Sequence, residues 1–135
     1  MKALDTPVLL AILHDSPGAK ELLKSLHGEE IATTELNLFE LGVIAANARA
    51  TTRASREDAL ARLRRRVTVL PVTSQSVAVA AKHAPTGARS GGWTRLILGV
   101  LVAAGCAEWI TTKAYAPARG KLPIRVRTFG TQYSK

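Results

Sequence analysis

Short apolar segments alternate along this chain with residues that commonly begin or end helices. Thr6-Pro7 and Ser16-Pro17 each place a hydroxyl residue before a proline, a pattern typical of a helix start. Thr34 and Thr73 are further capping candidates. The pattern predicts helices over residues 6–14, 16–27, 34–44, 55–66, 73–83 and 96–107, a loop over 85–92, and strands that end before Asp5 and span residues 30–33, 67–71, 107–111 and 124–128.

Strands that alternate with helices indicate a mostly parallel sheet covered by helices on both faces, here with about five strands. The expected fold class is therefore α/β, a three-layer sandwich. The chain has 135 residues, of which 47% are hydrophobic, and this suits one compact domain. The sequence contains no internal repeat, so residues 1–135 are expected to form a single domain.

The cysteine content and the apolar runs indicate in which cellular compartment the protein lies. Cys106 is the only cysteine, which excludes an intrachain disulfide and a thiolate zinc site, and it is expected to be a small buried residue. Asp5 interrupts the region where a secretory signal would lie. The longest apolar run, at residues 96–107, is shorter than the roughly 20 residues that span a bilayer. We therefore expect a cytoplasmic protein without membrane contact.

Charge divides the chain into two unlike parts. The net charge is +9, yet residues 1–58 carry nine of the ten acids, and Glu108 is the only acid among thirteen Lys and Arg in residues 59–135. This polarity favours a polyanionic or acidic partner such as RNA. No aromatic-rich basic patch for stacking single-stranded bases is evident in the sequence. The basic cluster at residues 62–66 is either a solvated helix end or an RNA contact.

Candidate chemistry lies where strands end, because open α/β sheets form their sites at that edge. The positions concerned are Asp5, the Thr33-Thr34 turn and the Thr111-Thr112-Lys113 segment. Asp5 either caps the first helix or lines a site, Thr34 is an N-cap or also lines the pocket, and Lys113 is a surface lysine or a site residue. The histidines follow no ligand spacing, and no nucleophile motif, P-loop or dinucleotide glycine pattern occurs.

Five short motifs, taken in order, resemble a PIN domain of the small VapC-type toxins found in toxin–antitoxin pairs. The resemblance covers essentially the whole chain. It rests on Leu4-Asp5-Thr6 with Val8-Leu9, on Phe39-Glu40-Leu41, on Val69-Leu70-Pro71-Val72, on the turn at Gly105, and on Ile110-Thr111-Thr112.

The resemblance implies a nuclease site in which three or four carboxylates hold Mg²⁺ or Mn²⁺. Asp5 matches the first acid of the family and Glu40 the second. The third falls at about Thr94, between Trp93 and Arg95, and the fourth falls at Lys113. Two of the four acids are therefore replaced, and the Lys113 ammonium would compete with a metal ion for the carboxylates. Thr6, Thr34 and Thr111 are expected to line this incomplete site.

Two functional hypotheses follow from the resemblance. In the first, the protein acts by binding RNA or an antitoxin-like protein, with weak or no nuclease activity. In the alternative, it is an active Mg²⁺- or Mn²⁺-dependent endoribonuclease that uses Asp5 and Glu40 as catalytic and metal-binding residues. The resemblance also implies a homodimer through the early helices, to which Val8, Leu9 and Ile12 of the apolar first helix would contribute.

Overall fold

The computed structural model describes residues 1–82, 92–112 and 123–130, and the statements below concern those residues. Lys113, His83 and the predicted loop up to residue 91 lie outside them. The elements in chain order are β1 (Lys2–Leu4), α1 (Thr6–Leu13), α2 (Ala19–Ser25), β2 (Ile31–Thr34), α3 (Glu35–Ala46), α4 (Ala50–Arg66), β3 (Thr68–Leu70), α5 (Ser74–Lys82), α6 (Gly92–Ala103), β4 (Glu108–Thr111) and β5 (Arg125–Thr128).

The strands form one parallel sheet in the order β3-β2-β1-β4-β5. Leu4 pairs with Ile110 and Thr34 pairs with Leu70, so the carboxyl ends of these four strands meet at one edge. Below, this is called the carboxyl edge of the sheet, and the opposite side is called the amino edge. The predicted α/β fold with a parallel sheet of about five strands is confirmed.

Side chains of successive strand residues enter two separate cores. Ala3 and Trp109 pack with α6 on one face of the sheet, whereas Leu4 and Ile110 pack with α1, α2 and α3 on the other. This alternation is the period of two that a β-strand imposes on its side chains. Helices therefore cover both faces, and the three layers predicted from the sequence are present.

Three helix starts differ from the prediction. The helix expected to begin at Leu96 begins four residues earlier, at Gly92. The helix expected at Ser16-Pro17 begins instead at Ala19, because Asp15 (φ 50°) and Gly18 (φ 85°) adopt left-handed conformations that interrupt helical geometry before it. The helix expected at Ser55 begins at Ala50, where the Arg49 carbonyl accepts from the backbone N–H groups of Thr52 and Arg53. The Ser-x-x-Asp pattern therefore lies inside α4 and does not cap it.

The apolar face of α1 lies in the core of its own chain. Val8 and Leu9 are fully buried there, so these two residues are not available for the dimer contact that was expected of them. The long apolar run is likewise internal, since it forms most of α6. Within the part of the chain that the structure describes, no helix combines the length and the apolar character needed to cross a membrane.

Candidate functional site

Asp5 follows β1 at the carboxyl edge, where its backbone N–H donates to the Ile110 carbonyl at 2.9 Å. Its backbone occupies the N-cap position of α1, yet its side chain makes no capping hydrogen bond. Instead, Oδ1 accepts from Asn37 Nδ2 at 2.9 Å and Oδ2 accepts from Thr111 Oγ1 at 2.7 Å. The sequence left open whether Asp5 caps α1 or lines a site. In the structure its carboxylate does not cap α1 and instead contacts Thr111 of β4 and Asn37 of α3.

Glu40 reaches the same place from α3. Its Oε1 accepts from Thr6 Oγ1 at 2.8 Å, and Thr6 Oγ1 in turn accepts from Asn37 Nδ2 at 2.9 Å. Asp5 and Glu40 are therefore linked through one threonine and one asparagine. The structure thus brings these two carboxylates together with the hydroxyls of Thr6 and Thr111.

Asn37 is the residue that sequence reasoning missed. It is 1% exposed, and its amide is held in one orientation because Thr34 Oγ1 donates to Oδ1 at 2.7 Å while accepting from the Asn37 backbone N–H at 3.1 Å. Thr34 is thus the N-cap of α3 and positions Asn37. The signal was present in the sequence, since Asn37 follows the cap by three residues and precedes Glu40 by three, which places it on the same helix face.

A cavity of about 180 Å³ opens beside the two carboxylates. Thr94 lies on it, as do Thr111 and Thr112, whereas Thr34 and Arg95 do not line it. The position predicted for the third acid is therefore next to the carboxylates and carries a hydroxyl. The lining residues are Asp5, Thr6, Pro7, Glu40, Trp93, Thr94, Ile97, Trp109, Thr111 and Thr112.

A larger cavity, of about 390 Å³, lies between α1, α3 and α4. Leu10, Leu41 and Leu60 are among its mainly apolar lining residues, and none of the predicted site residues reaches it. It holds no carboxylate, so it does not resemble a nuclease site. The smaller cavity at the carboxyl edge is the candidate functional site.

Glu108, the one acid in residues 59–135, does not lie at the cavity. Glu108 begins β4 at the amino edge and forms ion pairs with Arg125 at 3.4 Å and Arg127 at 3.7 Å. It therefore cannot supply the missing carboxylate. Cys106 is also buried, and burial raises the pKa of its thiol, which keeps it protonated and unsuited to nucleophilic chemistry.

The sequence profile of the PIN domain matches residues 2–104. The chain belongs to the PIN domain family. No curated protein sequence gives a significant match. The family membership agrees with the motifs that first suggested it, and the VapC toxins to which such small PIN domains are related are in general metal-dependent ribonucleases.

Solved VapC-type structures share the fold at low sequence identity. The VapBC2 complex of Rickettsia felis bound to a promoter DNA fragment has a chain that is 12% identical, with a TM-score of 0.79 over 96% of this chain and 98% of that one. VapBC-5 of Mycobacterium tuberculosis is 24% identical, with a TM-score of 0.67 over 94% and 97%. VapC20 of the same organism, a sarcin-ricin loop cleaving toxin, is 18% identical, with a TM-score of 0.61 over 81% and 87%.

The described residues of this PIN domain bring two carboxylates, together with hydroxyl groups, to the cavity. Among the described residues, no three of His, Cys, Asp and Glu come together, and Asp5 and Glu40 are the two carboxylates of the cavity. Their hydrogen-bond partners are neutral hydroxyl and amide groups, and neither forms an ion pair within the described residues. A divalent ion would thus find oxygen donors there but few fixed anionic ligands.

Proposed function

We propose that this PIN-domain protein acts by binding RNA or an antitoxin-like protein and has weak or no nuclease activity. The observation that carries the proposal is the composition of the cavity, in which Asp5 and Glu40 stand beside the hydroxyl of Thr94. Catalysis by hydrated metal ions depends on a fixed coordination geometry. With two carboxylates, this site would fix an ion weakly unless a further ligand arrived with the substrate.

The two classes of partner have different support. The net charge of +9 and the concentration of Lys and Arg in residues 59–135 favour a polyanion such as RNA. An antitoxin-like protein is supported by the VapBC structures, which are complexes of toxin and antitoxin. The Rickettsia felis match extends over 96% of the chain, which supports our proposal that residues 1–135 form one PIN domain.

A homodimer is also part of the proposal, with an interface outside the buried face of α1. The exposed apolar side chains Leu23, Val43 and Ile44 lie on α2 and α3. An interface through the early helices could therefore use α2 and α3 without Val8 or Leu9. Sedimentation equilibrium of the wild type and of a Val43→Glu variant tests this, and a wild type that stays monomeric at high concentration would contradict it.

Calorimetric titration with Mn²⁺ tests the proposal directly. We expect no saturable binding by the folded wild-type protein, and a gain of binding in Thr94→Asp, which adds a third carboxylate to the cavity. Thr52→Asp, on the exposed surface of α4, adds the same charge elsewhere and is the matched control. Saturable wild-type binding that disappears in Asp5→Asn but persists in Asp15→Asn would overturn the claim of an incomplete site.

The second candidate function is an active metal-dependent endoribonuclease. It is favoured by one observation, the link between Asp5 and Glu40 through Thr6 and Asn37 with no cation paired to either carboxylate in the described residues. Mg²⁺ commonly binds one or two carboxylates together with substrate phosphates, so two acids suffice in principle. In that case Asp5 and Glu40 would hold the ion, which activates water and stabilises charge on the attacked phosphate.

RNA cleavage separates this candidate from the first. A labelled single-stranded RNA is incubated with the full-length protein in Mn²⁺, in Mg²⁺ and in EDTA. Cleavage that requires metal and is lost in both Asp5→Asn and Glu40→Gln would establish the nuclease. Cleavage that persists in Asp5→Asn indicates a contaminating enzyme, and an absence of cleavage together with RNA binding supports the first proposal.

A further inference from the structure

An exposed aromatic pair adjoins the carboxylate cavity, which Trp93 lines. Phe39 of α3 and Trp93 of α6 have ring centroids 5.9 Å apart and planes inclined by 51°. Phe39 is 62% exposed and Trp93 is 40% exposed, in a chain with only six aromatic residues. Because large aromatic side chains stabilise a protein mainly when they are buried, two of them in contact on the surface point to an external ligand.

The two rings differ in their relation to the site. Trp93 lines the cavity together with Asp5 and Glu40, whereas Phe39 does not line it and packs against Trp93 from outside. The contact limits the rotamers that Trp93 can adopt. The inclined planes exclude a parallel clamp around a flat ligand, so such a ligand would stack on the exposed part of Trp93 alone.

The charge of the site decides what kind of group can stack there. Asp5 and Glu40 carry the negative charge of the cavity, and their hydrogen-bond partners among the described residues are neutral. A phosphate in contact with them would be repelled, whereas a nucleobase is uncharged and its amino group can donate to a carboxylate. Bases in a duplex are already stacked and paired, so an unpaired base fits this surface best.

We propose that Trp93 stacks one unpaired nucleobase of single-stranded RNA beside Asp5 and Glu40, with Phe39 as the positioning residue behind it. The inference rests on the RNA-binding part of the proposed function and adds the residue that selects single strands. The sequence alone did not reveal this surface, because Phe39 and Trp93 come together only when α3 and α6 reach the carboxyl edge.

The test measures binding of a short fluorescein-labelled single-stranded RNA of mixed sequence, and of a series of derivatives that each lack one base, by fluorescence anisotropy in EDTA. We expect Trp93→Ala to weaken binding of the complete RNA by about fivefold to a hundredfold, as for other base-stacking aromatics. Trp93→Phe should restore most of the affinity. Phe39→Ala should cause a smaller loss, because Trp93 becomes less well positioned but the stacking surface itself remains.

Base removal identifies stacking as the cause. At one position of the series, removal of the base should weaken binding to the wild type by a similar factor. Removal of the same base should not weaken binding to Trp93→Ala any further. Val77→Ala removes a side chain that is 51% exposed on α5 and does not line the cavity, and we expect it to bind like the wild type. Circular dichroism of each variant verifies that it is folded.

Three outcomes would overturn the inference. If Trp93→Ala and the wild type show the same base-removal profile, RNA binds without stacking on Trp93, and the proposed RNA binding survives alone. If Trp93→Ala binds RNA normally but loses binding to a co-expressed protein, the aromatic pair serves that protein partner. If the folded wild type binds neither the complete nor the base-deleted RNA, the RNA-binding function itself fails.

Discussion

Asn37 connects the helix cap to the chemistry of the cavity. Its side-chain oxygen accepts from Thr34, and its amide nitrogen donates to Asp5 and to Thr6, so one residue orients both a carboxylate and the hydroxyl that reaches Glu40. Within the described residues, the hydrogen-bond donors to the two carboxylates are therefore the neutral groups of Asn37, Thr6 and Thr111.

Replacing Asn37 by alanine should therefore destabilise the protein. The change removes the acceptor of the buried Thr34 hydroxyl and the amide donor to Asp5 Oδ1 and Thr6, and we expect the free energy of unfolding to fall by about 1–3 kcal/mol. Urea denaturation measures it. Asn47→Ala, at the exposed carboxyl end of the same helix, is the control and should change stability by less than about 0.5 kcal/mol. Equal losses in the two variants would contradict this role of Asn37.

The site was predictable where it depends on strand ends and unpredictable where it depends on tertiary packing. Asp5 follows β1 and Thr111 ends the neighbouring parallel strand β4, so their proximity results from sheet topology, and the family motif identified Glu40. Phe39, noted in the sequence as part of the Phe39-Glu40-Leu41 motif, is largely exposed. Its contact with Trp93 depends on how α6 packs, which no local pattern encodes. Lys113 stays a sequence prediction, since it lies outside the described residues.

At the level of elements, the contact between α5 and α6 depends on one glycine. A Cβ on Gly99 would lie 2.3 Å from the Ser76 carbonyl oxygen and 2.7 Å from the Ala80 Cβ, both on α5. No alanine fits without separating the helices, and α6 carries the residues that complete one core and the cavity wall. The position of Trp93 and Thr94 therefore depends on this close approach.

Gly99→Ala should lower the free energy of unfolding by about 1–3 kcal/mol, as other overpacking substitutions do. Gly42→Ala is the matched control, because Gly42 lies in α3 with open space where a Cβ would be. It should raise stability by about 0.5–1 kcal/mol, since alanine is the better helix former. Thermal denaturation of both variants provides the comparison, and a neutral Gly99→Ala would show that α5 and α6 pack less closely than described.

Most elements were predicted to within a few residues, and the exceptions have physical causes. Thr73 was expected to cap a helix, and its hydroxyl accepts from the Ser76 backbone N–H at 3.1 Å while Ser76 Oγ accepts from the Thr73 backbone N–H. By contrast, α4 extends five residues before its expected start. The backbone N–H groups of Thr52 and Arg53 donate to the Arg49 carbonyl, so the helix starts there without a side-chain cap and runs through the pattern at Ser55.

At the scale of the whole molecule, the two edges of the sheet carry different charged groups. Asp5 and Glu40 lie at the carboxyl edge, whereas Glu108 with its arginine partners lies at the amino edge. The basic cluster at the end of α4 also lies at the amino edge, because α4 ends at Arg66 just before β3 begins. The strongest basic motif of the sequence is therefore on the opposite side of the sheet from the cavity, and this favours its interpretation as a solvated helix end.

Substituting Arg64, Arg65 and Arg66 by glutamine should leave RNA binding at the cavity largely intact. β4 has four residues, so the two edges of the sheet are about 10 Å apart, which exceeds the screening length of about 8 Å at physiological salt. We expect the dissociation constant for single-stranded RNA to rise by less than about threefold, in contrast to Trp93→Ala. The dependence of affinity on salt should also be unchanged, since every single-strand phosphate that a protein neutralises adds about 0.7 to the logarithmic slope. A slope lowered by about 2 would mean that all three arginines bind phosphates, and that bound RNA extends across the sheet to the amino edge.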